Sequence, residues 1–203
     1  MSKPNLKDLQ VKDIHLNKAI SINKSQKIAE VVRIMRKEEI NRVLVISNSI
    51  PIGIITVRDV LLKLLYKKIK GLTTTSMSSS GFVSHGLISC KKSDNLLDAA
   101  LKMESNGISS LFVEDHDGDE LAFLTQNNII ELLRKKHNVQ VSKVADPPFG
   151  TASSTATLSQ VLTRRSEKET RCLVVLENLR PIGLISDKEI AFALFNRLSS
   201  DTM

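Results

Sequence analysis

The chain has 203 residues, 41% of them hydrophobic and 3% aromatic, with 29 basic against 22 acidic side chains for a net charge of +7. That length can bury a substantial core, but no apolar run reaches the length of a membrane span and the polar start Met1-Ser-Lys-Pro-Asn-Leu-Lys7 does not read as a signal peptide, so a soluble, cytoplasmic protein is expected. Cys90 and Cys172 lack metal-ligand spacing and lie in apolar strand contexts, which predicts reduced core thiols.

In chain order, the first predicted strand covers residues 19–22. Ser25 is the expected N-cap of a helix whose apolar stripe is Ile28, Val31, Val32 and Met35. A strand at 43–46 follows, then a turn at Asn48-Ser49, a second strand ending at Thr56 and a helix over 60–65. Residues 67–86 hold the Ser/Thr-rich stretch Thr73-Thr-Thr-Ser-Met-Ser-Ser-Ser-Gly81, too poor in apolar side chains for a core, and read as a mobile loop. The pattern then begins again with a strand at 87–90, Ser93 as N-cap, and a stripe of Leu96, Ala99, Ala100 and Met103. A strand at 111–113, a loop, a strand ending at Thr125 and a helix at 129–133 complete it. The loop, Glu114-Asp-His-Asp-Gly-Asp-Glu120, is acidic, but its spacing does not fit an EF-hand and it reads as a solvated hairpin turn. Arg134-Lys-Lys-His137 closes this unit, and Asp146-Pro-Pro-Phe-Gly150 leads into a third. There a weak strand at 149–152 precedes Thr157 as N-cap and the stripe Leu158, Val161, Leu162, in which Arg165 takes the place of the earlier methionines. Strands at 173–176 and up to Ser186, split by a turn at 177–179, precede a helix over 190–198.

The order strand, helix, strand, strand, helix is thus met three times, over residues 9–68, 80–137 and 139–200. The repeat is visible in the letters themselves. Pro-Ile-Gly-Ile-Ile-Thr-Val-Arg-Asp-Val at 51–60 returns as Pro-Ile-Gly-Leu-Ile-Ser-Asp-Lys-Glu-Ile at 181–190, with a weaker copy at 121–130. Gly53, Thr56 and Asp59 make a Gly-x-x-Thr/Ser-x-x-Asp signature. The third copy has Gly183, Ser186 and Glu189, whereas the second departs from it with Ala122, Thr125 and Asn128. On these residues nearly the whole chain, from about Val11 to Leu198, resembles the cystathionine-β-synthase (CBS) domain family. The resemblance implies an α/β (α+β) fold of CBS units paired through their sheets as Bateman modules, whose clefts take adenosine nucleotides or related ligands.

By that resemblance Asp59 is the residue for the ribose hydroxyls and Thr56 its polar neighbour. Arg42, just before a strand, and Arg58, inside the signature, are the candidates for phosphate. Ile22 and Ile54 are candidate apolar walls for the base, with a core role equally open, as is Leu184. Ser186, Glu189 and Lys188 form the third-copy counterpart. Glu189 keeps the carboxylate with one more methylene, while Asn128 loses the charge-assisted bond, which ranks the sites first, third, second. Helix capping is the alternative reading of the same residues, since Ser186-x-x-Glu189 is a capping-box pattern and a carboxylate near a helix start favours the dipole.

Two classes of function follow. One is a regulatory module that senses AMP, ADP, ATP or an S-adenosyl ligand and reports to an unknown protein partner. The other is a CBS-scaffold interaction protein whose basic surface, at 67–70, Lys91-Lys92, 134–136 and Arg164-Arg165, meets nucleic acid. An enzyme is not expected: His15, His85, His116 and His137 are dispersed, without a nucleophile or metal partner at catalytic spacing, and no metal or cofactor is implied beyond the nucleotide. Three units leave one without a partner in the chain: if the first two pair, a homodimer through the third is expected, and pairing of the first and third with dimerisation through the second is the alternative.

Overall fold

The computed structural model describes residues 6–69, 77–114, 121–133, 140–143, 150–167, 170 and 172–200. In order along the chain these form β1 (Asn17–Lys18), β2 (Ser21–Asn23), α1 (Ile28–Lys37), β3 (Arg42–Ser47), β4 (Ile50–Thr56), α2 (Val57–Ile69), β5 (Ser84–His85), β6 (Ser89–Cys90) and α3 (Leu96–Ser105). There follow β7 (Ser110–Val113), β8 (Ala122–Thr125), α4 (Gln126–Leu133), β9 (Thr151–Ser153), α5 (Leu158–Glu167), β10 (Cys172–Glu177), β11 (Arg180–Ser186) and α6 (Asp187–Ser200). The acidic residues 115–120, the basic run 134–137, residues 146–149 of the lead-in and 70–76 of the Ser/Thr-rich stretch lie outside the described residues.

Each repeat is strand, helix, strand, strand, helix: β2-α1-β3-β4-α2, β6-α3-β7-β8-α4 and β9-α5-β10-β11-α6. The helix of each βαβ crossover returns the chain to a neighbouring strand; β6 pairs parallel with β7, and β9 with β10. A hairpin then adds the antiparallel third strand, β8 on β7 and β11 on β10. The first repeat follows the same order, β2-β3-β4. Two short strands were not expected. β1, just before β2 in the first repeat, pairs antiparallel with β8 of the second, and β5, just before β6 in the second, pairs antiparallel with β4 of the first. Each lead-in therefore covers a sheet edge that would otherwise expose unpaired backbone groups.

The chain divides into two compact units. The first comprises residues 1–22, 44–54 and 84–138; the second comprises 23–43, 55–83 and 139–203, so that the boundary runs through β3 and β4. In the first unit the stripe of α3, Leu96, Ala99 and Met103, is buried with Val11, Cys90, Leu111, Val113, Leu124 and Ile129. A second cluster joins residues of two repeats: Ala19, between β1 and β2, and Leu44 of β3 meet Phe112 and Phe123, with Ile46 and Ile54 packed against them. The two phenylalanines meet edge to face, their centroids 6.3 Å apart. The first two repeats thus meet through their sheets.

In the second unit Ile28, Val31, Val32 and Met35 of α1 are buried as the periodicity requires. Helix α2 packs along α6, its counterpart in the third repeat. The Arg36 guanidinium lies 4.6 Å from the centre of the Phe192 ring and donates to the Phe192 carbonyl at 2.9 Å. Arg165 breaks the apolar stripe of α5 and is matched by Asp187, at the start of α6, in an ion pair whose side chains are only 15% and 16% exposed. The matching positions of the first repeat are Met35 and Val57, both buried. Two buried apolar residues of the first repeat thus correspond to an ion pair in the third.

Two of the three expected N-caps move. Helix α1 starts after Lys27, with no side-chain cap, because Ser25 instead bonds Asn23 through both its amide and its hydroxyl. Helix α3 is capped by Asn95, not Ser93; the Asn95 side-chain oxygen Oδ1 accepts from the amides of Leu97 and Asp98. Thr157 does cap α5, in a reciprocal box with Gln160.

The hairpins of the first and third repeats turn on two residues with positive φ, Asn48 and Ser49 in one, Asn178 and Leu179 in the other. That backbone suits the twist of paired strands but favours Asn and Gly. Leu179 has φ 64° and is 91% exposed, so its side chain strains the turn and packs little. Leu179→Gly is expected to stabilise the fold by about 0.5–1 kcal/mol, the relief of left-handed strain less the larger unfolded-state entropy of glycine. Urea denaturation checks this; a loss of stability would show that the strain is absent.

Candidate functional site

Strand passes to helix without a loop at all three signatures: β4 ends at Thr56 and α2 begins at Val57, β8 ends at Thr125 and α4 begins at Gln126, β11 ends at Ser186 and α6 begins at Asp187. The helices therefore open three residues earlier than the apolar runs suggested. An abrupt junction of this kind exposes orphan amide donors and needs a cap. The signature supplies it. The Asp59 carboxylate Oδ2 accepts from the Thr56 amide at 2.8 Å and from its hydroxyl at 2.6 Å, and Thr56 Oγ1 accepts from the Asp59 amide at 3.2 Å. This is a capping box with aspartate in place of glutamate.

The first-copy residues gather around this box. Arg58 is exposed on the first turn of α2. The Val57 amide donates to the Asn41 carbonyl at 3.0 Å, which sets the start of β3, and with it Arg42, beside the start of α2. Arg42 is half-buried, and burial lowers its pKa from the usual arginine value. Ile54 stands two residues before Thr56 in β4, on the same face of the strand, and packs against the Phe112 and Phe123 cluster. Ile22 is 2% exposed, so as placed it is a core residue and offers a ligand no wall.

In the second copy the box is kept by an amide. Asn128 Oδ1 accepts from the Thr125 amide at 2.8 Å and from its hydroxyl at 2.6 Å. The side-chain amide nitrogen of Asn128 donates to the His15 carbonyl at 2.9 Å, and the Asn17 side-chain amide lies 3.1 Å from Thr125 Oγ1. The lead-in strand β1 thus lies directly on the second signature, and Asn128 is buried beneath it. Sequence reasoning missed both partners, since a backbone carbonyl and a lone Asn have no spacing signal. Asparagine is required there for a physical reason: an aspartate would set a carboxylate oxygen against the His15 carbonyl. Asn128→Asp is expected to cost about 2 kcal/mol at neutral pH, as for a buried polar group that loses its partner. The repulsion raises the folded-state pKa of the new carboxyl, so the deficit shrinks in acid and grows as pH rises. Thermal melts across pH decide it; equal stability to the wild type at pH 7 would remove the argument.

In the third copy the Glu189 carboxylate accepts from the Ser186 amide at 2.8 Å and from its hydroxyl, while the Lys188 amide donates to Ser186 Oγ at 3.2 Å. Partial burial pushes the Glu189 carboxyl up, but the bonds from Ser186, its own backbone and the charge of Lys188 outweigh this and hold it below the ordinary value. The strand facing this box opens with Cys172, where the first repeat has Arg42 and the second Ser110. Burial, then the charges of Glu189 and Asp187, push the Cys172 thiol up, so it is a poor nucleophile. Both cysteines are free thiols, Cys90 buried and Cys172 half-buried. The third signature lies on an open sheet, with Leu184 65% exposed and Ile182 57% exposed.

The basic surface expected at Arg164-Arg165 is smaller than the letters suggest. Arg165 is committed to Asp187, and Arg164 donates to the Thr151 carbonyl at 2.8 Å. Among the described residues no group of three or more His, Cys, Asp or Glu side chains is placed to hold a metal ion, and no helix is long and apolar enough to cross a membrane.

The fold has close counterparts among solved structures. Protein MJ1225 from Methanocaldococcus jannaschii aligns with a TM-score of 0.74 and 17% identity, over 95% of this chain and 76% of that one. The CBS domain pair of protein MJ0100, solved in complex with 5′-methylthioadenosine and S-adenosyl-L-methionine, aligns with a TM-score of 0.53 and 23% identity, over 64% of this chain and 98% of that one. CBSX2 in complex with AMP aligns with a TM-score of 0.51 and 19% identity, over 62% of this chain and 96% of that one. At these identities the likeness is one of fold. No curated protein sequence matches the chain. The CBS domain model, however, matches residues 11–66, 80–135 and 141–196, each holding one copy of the strand-to-helix signature. The chain therefore belongs to the CBS domain family, as three tandem repeats.

Proposed function

We propose that this protein is a regulatory module that binds an adenosine ligand, AMP, ADP, ATP or an S-adenosyl compound, and reports its level by conformation to a protein partner. The observation that carries the reading is the first signature, where Thr56 and Asp59 cap α2 beside the half-buried Arg42. A carboxylate at such a junction accepts hydrogen bonds from ribose hydroxyls, and the helix start with its arginines favours a phosphate. In this reading Asp59 and Thr56 take the ribose, Arg42 and Arg58 the phosphate, and Ile54 the edge of the base. Ser186, Glu189 and Lys188 make a weaker third site, with Cys172 at the strand position that Arg42 holds in the first. The complexes of CBSX2 with AMP and of MJ0100 with methylthioadenosine and S-adenosylmethionine support the ligand class. The chain acts by binding rather than by catalysis, and as a homodimer through its third repeat.

The competing reading, a scaffold whose positive charge meets nucleic acid, is weakened by the commitment of Arg164 and Arg165 within the fold. A thermal-shift panel of AMP, ADP, ATP and S-adenosylmethionine, run beside DNA binding at several salt concentrations, tests the choice. The expected result is a rise in melting temperature with at least one adenosine compound. No shift with any of them, together with tight DNA binding that weakens steeply with salt, would reverse it.

A further inference from the structure

Two short straps dock on crossover helices in the same way, and one of them lacks an anion that the other carries. Residues 9–12, ahead of β1, lie against the start of α3. The Leu96 amide donates to the Leu9 carbonyl at 2.9 Å, and the Val11 and Lys12 amides donate to the Asp94 and Lys92 carbonyls at 3.0 and 2.9 Å. Residues 77–80, ahead of β5, lie against the start of α1 by the same three bonds. The Ile28 amide donates to the Met77 carbonyl at 2.8 Å, and the Ser79 and Ser80 amides donate to the Gln26 and Lys24 carbonyls at 2.7 and 3.2 Å. The strap at 9–12 is closed by the Asp13 carboxylate, which accepts from the Gln10 amide at 2.8 Å. The residue matching Asp13 in the other strap is Gly81, preceded by Ser78, Ser79 and Ser80. Helix α1 also starts without a side-chain cap, whereas Asn95 caps α3. No acidic residue occurs between Asp13 and Glu30 or between Asp59 and Asp94, the two stretches that the serine strap brings together. Glu30 is paired with Arg33 at 3.6 Å. Lys24 and Lys27, both exposed, stand directly against the strap: the Lys24 carbonyl accepts from the Ser78 hydroxyl at 2.8 Å, and Lys27 forms a β-bridge with Ser78.

We propose that Ser80 is a phosphorylation site, and that its phosphoryl group locks the strap onto Lys24 and Lys27 as Asp13 closes the sister strap. The hydrogen bonds single out Ser80. The one hydroxyl proton of Ser78 goes to the Lys24 carbonyl, so in the 2.9 Å contact between the two hydroxyls Ser80 donates to Ser78. Ser80 is exposed, and a Cβ added at Gly81 beside it would meet nothing within 4 Å, which leaves room for the group. A separate protein kinase supplies it from a nucleoside triphosphate. Ser80 Oγ bonds to the γ-phosphorus, the bond from that phosphorus to the bridging oxygen breaks, the nucleoside diphosphate leaves, and the hydroxyl proton passes to the base of the kinase. The product carries a charge of about −1.5 to −2 at neutral pH and three acceptor oxygens. It would be the first anion in a positive neighbourhood, close to the favourable end of the α1 dipole. The strap runs on into β5, which pairs with β4 at Gly53 and Ile54, so the modified segment leads directly into the edge partner of the strand that ends at Thr56.

The test compares the full chain, unmodified, with the full chain carrying phosphoserine encoded at position 80. Hydrogen exchange is read at the Ile28 and Ser79 amides, whose bonds form only when the strap is docked. Phosphoserine is expected to slow both on the order of tenfold at low salt, and to lose most of that gain in about 1 M salt. In a chain with Lys24→Gln and Lys27→Gln the slowing is expected to fall to about twofold or less, the share left to the helix dipole. The Val11 and Leu96 amides of the sister strap are the internal reference and are expected to be unchanged. Peptide mapping of the protein purified from its native cells is expected to place a phosphoryl group on Ser80. Exchange at Ile28 and Ser79 that is unchanged or faster with phosphoserine overturns the inference. Slowing that survives loss of both lysines overturns it too, and so does a fully covered strap peptide from native cells without phosphate on Ser80.

Discussion

Replacing Asp187 by alanine is expected to destabilise the protein by about 3 kcal/mol, because it leaves the Arg165 guanidinium largely buried without its counter-charge. Removing one member of such a pair costs far more than the pair itself contributes, since both charges were desolvated to form it. The first repeat shows the apolar solution, Met35 and Val57, each almost fully buried. The double substitution Arg165→Met with Asp187→Val is accordingly expected to lie within about 1 kcal/mol of the wild type, or above it, despite changing two buried side chains. Denaturant unfolding of the two single variants and the double gives the coupling directly. A cost below about 1 kcal/mol for Asp187→Ala would mean that water reaches Arg165 and that the pair is a surface feature.

The second large effect concerns binding. Asp59→Ala is expected to weaken the adenosine ligand by about 1.5–3 kcal/mol, the scale of hydrogen bonds to a charged group. Asp59 also caps α2, so alanine removes a structural bond along with any ligand contact. Asp59→Asn separates the two. The second repeat demonstrates that asparagine holds the same box, with Asn128 accepting from both the amide and the hydroxyl of Thr125. Calorimetry on Asp59→Asn is therefore expected to show normal folding with most of the loss in affinity. Unchanged affinity in both folded variants would remove Asp59 from the site.

The order of elements was legible because every crossover helix carries its apolar residues at helical spacing and every strand run is broken by turn residues. The signatures were legible as letters, and their placement at strand-to-helix junctions followed. What escaped is instructive. β1 and β5 are two residues each, too short to show alternation, and are defined by the edges they cover. Arg165 was visible only as a defect in a stripe; its partner lies beyond a strand hairpin, at no helical or strand spacing from it. Laying the third repeat over the first would have exposed the pair, since Met35 and Val57 change together. Ile22 is apolar whether it faces the core or a cleft, and only its burial, at 2% exposure, separates the two.

The division of the molecule carries a consequence for how it folds and how it can be dissected. The boundary between the compact units runs through β3 and β4, so the first repeat belongs to both. A repeat is here a unit of sequence but not of autonomous stability. Excising the first would take Leu44 and Ile54 from one core and helix α2 from the other in a single cut. Trimming the chain at the edges of its repeats therefore does not yield smaller working parts; the shared strands tie both halves to one segment of polypeptide, and damage there is inherited by each.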